Sequence, residues 1–93
     1  MTISLAERTE QLRAEQGDLI KADTDIEDGR RRIRNQEDRV RELRACGHDS
    51  EHAERLVELL KQTLQEWERH RTLIVQRIDY LQHAVDSVTP APR

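Results

Sequence analysis

The chain has 93 residues, 38% of them charged and 34% hydrophobic, with one Trp, one Tyr and no Phe. That length allows one small domain, and that composition excludes a compact globule with a sizeable core. A net charge of −3 names no class of partner, and a single Cys excludes an intrachain disulfide.

Charge is unevenly spread along the chain. Residues 1–28 hold three basic and eight acidic residues, net −5, whereas residues 30–44 hold seven Arg against three acids, net +4. Of the 16 basic residues 14 are Arg, as a GC-rich genome would produce. No apolar run approaches the ~18–20 residues of a membrane span, and no basic start leads into an apolar stretch as in a secretory signal. The expectation is a cytoplasmic protein that does not enter a membrane.

At this composition disorder competes with folding, and periodicity decides between them. Leu5, Leu12, Leu19, Ile26, Ile33 and Val40 recur every seven residues. Such a repeat keeps one stripe facing a partner helix and implies a left-handed coiled coil. The phase does not slip at Gly17 or Gly29, so the spacing predicts one helix over about residues 3–45. Each Gly costs roughly 1 kcal/mol relative to Ala.

Gly47 follows the last apolar residues and suits the left-handed position that ends a helix. Asp49 and Ser50 are good caps for a new helix, with Glu51 in its first turn. Gly47, His48, Asp49 and Ser50 thus read as a tight tip that folds a second helix back on the first. That helix, about 50–88, carries one stripe of Ala53, Leu60, Trp67, Ile74, Leu81 and Val88. A second stripe is Val57, Leu64, Arg71, Ile78 and Val85. Residues 89–93, with Pro90 and Pro92, read as a disordered tail to a single hairpin domain of residues 1–88.

One antiparallel register accommodates both helices. It pairs Val40 with Ala53, Ile33 with Leu60, Ile26 with Trp67, Leu19 with Ile74 and Leu12 with Leu81, and these residues form the expected seam. The second stripe then sets Leu64 against Gly29 and Arg71 against Ala22, large beside small. Arg71 on an apolar seam is a candidate buried polar residue and needs a carboxylate. Asp18, Asp25 and Glu15 are within reach of it in this register.

The second helix also carries Leu56, Leu59, Leu73 and Tyr80 beside its seam, more apolar surface than the first helix covers. A lone two-helix hairpin buries little. These four residues are therefore the candidate oligomer interface, and the fold expected is an all-α antiparallel hairpin that dimerises into a four-helix bundle.

Candidate chemistry is sparse. Cys46, His48 and His52 sit near the tip and are zinc-compatible ligand types, yet their spacing matches no common zinc site. The run Asp23, Asp25, Glu27, Asp28 puts Asp28 and Arg34 where a calcium loop needs Gly and Glu. The seven Arg of residues 30–44 could track phosphates. On a helix they spread around the axis, Glu37, Asp38 and Glu42 interrupt them, and aromatic stacking platforms are lacking. The residues argue against nucleic acid as a partner. No catalytic, cofactor-binding or metal-binding set emerges, and no cofactor is expected.

Residues Asp28 to Ile78 resemble a group of short alphaproteobacterial, rhizobial-type helical-hairpin proteins with no known activity. The likeness rests on Gly29-Arg30-Arg31-Arg32-Ile33, Gln36, Leu43, Gly47-His48-Asp49-Ser50, Ala53, Leu56, Leu64, His70-Arg71 and Ile74. It implies an origin and no mechanism. The tip through Glu54 is also similar to the coiled-coil tip of bacterial transcript-cleavage factors, whose tip acids hold a catalytic metal in RNA polymerase. Here Asp49 falls one place from the expected position, and no counterpart of their second domain is present. Small secreted hairpins carry a Trp-x-Gly turn; here Trp67 is followed by Glu68.

The expectation for function is a non-enzymatic, self-associating coiled coil that serves as an adaptor or regulator of an unidentified protein partner. The alternative is a regulator that binds nucleic acid or RNA polymerase through Arg30 to Arg44 or the acidic tip.

Overall fold

The computed structural model describes residues 4–88 as two α-helices, α1 (Leu5–Ala45, 41 residues) and α2 (Glu51–Val88, 38 residues). They pack antiparallel as an elongated hairpin of 69 × 29 × 14 Å. The fold is an all-α helical hairpin, with no strand among the described residues.

Both helices begin later than the spacing suggests. The Ser4 hydroxyl accepts the Glu7 N–H at 3.2 Å, so Ser4 is the cap and α1 starts at Leu5. The Ser50 carbonyl accepts the Glu54 N–H, which makes Ser50 the residue before the first turn of α2. Capping there falls to the preceding side chain, as Asp49 Oδ1 accepts the Glu51 N–H at 3.0 Å. The expected tail, 89–93, lies outside the described residues, as do residues 1–3 and the side chain of Val88.

The helices hold together along one narrow seam. Leu12, Ala22, Ile26, Ile33 and Val40 of α1 are buried against Ala53, Val57 and Ile74 of α2, and Ile74 is the most enclosed at 1% exposure. Burying such an aliphatic side chain contributes roughly 1.5–3 kcal/mol. Gly29 lies against Leu64, the pairing of the expected register, and a β-carbon on it would be 3.5 Å from Leu64 and 3.9 Å from the Trp67 ring. Near the tip, Val40, Ala53 and Val57 form a small cluster with Leu43 packed against it. The Gln36 amide adds a cross-helix bond, donating to the Ala53 carbonyl at 3.3 Å.

Candidate functional site

At the tip, α1 closes in a Schellman arrangement. The Gly47 N–H donates to the Arg44 carbonyl at 3.1 Å and the His48 N–H to the Leu43 carbonyl at 2.8 Å. Gly47 has φ 71°, a conformation that costs an L-residue roughly 1–2 kcal/mol. Cys46 is a free, exposed thiol, and His48, Asp49 and His52 are exposed as well. No group of three or more metal-ligating side chains forms among the described residues.

The expected seam residues are not equally enclosed. Leu12, Ile26, Ile33, Val40 and Ile74 are buried, and Leu19, Leu60 and Leu81 are half-buried. Trp67 is 37% exposed. Its ring meets the side-chain-free surface of Gly29 and extends from the seam toward one edge of the hairpin.

Arg71 is a correction to the sequence reading. No polar or charged residue is buried among the described residues, and the Arg71 side chain is 42% exposed. It pairs with Asp23, Nε to Oδ1 at 2.5 Å, in place of Asp18, Asp25 or Glu15. The long side chain snorkels off the seam to one edge, and Asp23 is the carboxylate on that edge. Asp18 and Asp25 line the groove on the other edge, beside Trp67 and His70.

The two edges differ in construction. Residues two apart on a helix point about 200° from each other, so Glu54 and Leu56, or Glu68 and His70, face opposite edges. On the first edge, Asp23, Arg30, Glu37 and Arg44 of α1 recur every seven residues with alternating sign. Glu54, Lys61 and Glu68 of α2 do the same. They form cross-helix ion pairs: Arg44 with Glu54, Glu37 with Lys61 at 3.9 Å, Arg30 with Glu68 at 3.4 Å, and Asp23 with Arg71. Sequence reasoning missed this ladder, although two alternating-sign heptad rows were there to be read.

The second edge carries Leu56, Thr63 and His70, every seven residues along α2, with one cross-helix pair, Glu15 to Arg77 at 3.5 Å. Just outside it run Leu59, Glu66, Leu73 and Tyr80, again seven apart. Leu59 is 58%, Leu73 50% and Tyr80 73% exposed, and Leu56 is exposed as well. Leu73 and Tyr80 flank a shallow depression with Gln76 and Arg77, and Leu59 lines another with Glu58 and Gln62. Val75 and Ile20 are exposed apolar residues that lie outside this row.

The Arg block is mostly engaged. Arg31 pairs with Asp28, Arg39 with Glu42 and Arg41 with Asp38 within α1, and Arg30 and Arg44 pair across to α2. Arg32 and Arg34 have no ion-pair partner among the described residues. One His stands out electrostatically: the Asp79 carbonyl beside His83 Nδ1, then the Asp79 carboxylate and Asp86, raise the pKa of His83 above its ordinary value. No described helix is long and apolar enough to cross a membrane. Comparison with known families, curated proteins and solved structures gives no match for this chain.

Proposed function

We propose that this hairpin is a non-enzymatic, self-associating protein of the cytoplasm that acts through its surface as a protein–protein adaptor or regulator. The observation that carries this reading is the row of exposed apolar side chains on one edge of α2: Leu56, Leu59, Leu73 and Tyr80. Helices draw most of their stability from burial against other elements. The single seam with α1 leaves this second α2 row in water, and pairing two hairpins into a four-helix coiled-coil bundle would cover it. Arg pairing within α1 and across the ladder leaves two of the seven block residues free for phosphate, which favours a protein surface over nucleic acid as the partner.

Sedimentation equilibrium at micromolar concentration tests this. The expected result is a mass of two chains or more. A single-chain mass across that range would overturn the self-association.

A further inference from the structure

We propose that the occupant of the apolar α2 edge is a second copy lying antiparallel, with the tips at opposite ends of the dimer and a two-fold axis passing between Glu66 and His70. The proposal rests on the self-association above and adds its geometry. Charge supplies the first argument. The tip half of the hairpin, residues 27–66, holds nine basic and ten acidic residues, net −1. The open half, residues 4–26 and 67–88, holds six basic and nine acidic residues, net −3. Tip-to-tip packing would set −3 beside −3, whereas tip-to-open-end packing sets each acidic half beside the nearly neutral half of the other copy and so lessens the repulsion.

The pattern along the edge supplies the second argument. An isologous contact must be complementary to itself. With the axis between Glu66 and His70, each Glu66 faces the partner's His70, an acid beside an imidazole. Leu56 then meets the partner's Tyr80, and Thr63 the partner's Leu73. Leu59 meets the partner's Arg77, whose Nε is already turned to Glu15 within its own hairpin, leaving its methylene stem to cover the leucine. The axis also falls near the middle of α2, Glu51–Val88, so the two helices overlap along almost their whole length.

Cys46 is the one cysteine, exposed and at the tip, remote from the proposed axis. The unmutated chain can therefore be spin-labelled there and its dimer studied by double electron–electron resonance, at a concentration where sedimentation shows two chains. At 1.5 Å per residue over twice the run from axis to tip, the antiparallel dimer gives a label separation of about 55 Å. Tips side by side would give about 25 Å or less, the width of a four-helix cross-section. A dimer mass with the short distance overturns the antiparallel arrangement and leaves self-association standing. A single-chain mass with no dipolar signal overturns both.

Discussion

Along one edge of the hairpin, Asp23, Arg30, Glu37 and Arg44 meet α2 charges in a four-rung ladder, whereas the opposite edge has a single rung and a row of exposed Leu and Tyr. Both edges flank the same seam and are written with the same seven-residue spacing. Exposed ion pairs contribute about 0.2–1 kcal/mol each, so the ladder is not what holds the helices together. Its effect is to keep one edge hydrated, because covering it would strip water from charges. The other edge also carries charge, with Asp18 and Asp25 in its groove, but has a single cross-helix pair among the described residues and apolar area to lose from water. The difference teaches that in so thin a fold the seam sets the hairpin, while the flanking positions decide which surface is left charged and which apolar.

The largest effect should come from the seam that both edges share. Ile74→Ala, at the most enclosed side chain, is expected to cost about 2–5 kcal/mol in urea unfolding. Its neighbour Leu73, half exposed on one edge only, should cost far less when changed to Ala in a sample dilute enough to be a monomer. Equal losses would mean that the exposed row is packed within the single hairpin.

Glycines give smaller shifts of opposite sign. Gly47→Ala forces an L-residue to φ 71° and should destabilise by about 1–2 kcal/mol. Gly17→Ala, where an added β-carbon meets nothing within 4 Å, should stabilise by about 1 kcal/mol through helix propensity alone. Thermal melts of the two variants check both signs.

The smallest effect is electrostatic. His83 has a folded-state pKa raised by Asp79 and Asp86, so its contribution is fully present below the unfolded value near 6.5. It is lost as pH rises through the folded value. Melting temperature should fall slightly as pH climbs from about 6 through that raised value, and His83→Gln should flatten the slope.

The hairpin was legible in the sequence because its two cues are local. A heptad of aliphatics in unbroken phase specifies a helix that faces a partner, and a Gly followed by capping residues specifies the turn. What resisted reading depended on direction across the seam. Asp23, Asp25 and Asp18 all fall within a few residues of the position opposite Arg71, yet only Asp23 lies on the edge to which that guanidinium snorkels. Asp49 and Ser50 both read as caps, and which side chain accepts the Glu51 N–H, here that of Asp49, turns on one residue of phase at the tip. Trp67, placed in the seam by its spacing, is partly exposed, its ring lying over Gly29 and lining the groove with Asp18, Asp25 and His70. The exposed row of Leu56, Leu59, Leu73 and Tyr80 was visible as an apolar excess on α2, while the ladder that makes the two edges unlike needed charges of both helices to be read together.

The most direct test of the account compares the two edges in one assay. Sedimentation equilibrium would be run on Leu59→Asp with Leu73→Asp, and in parallel on Glu37→Gln with Glu68→Gln, each checked by circular dichroism to be helical. The first pair should give a single-chain mass and the second an undiminished dimer. A dimer that survives the aspartates and is lost with the glutamines would contradict the account.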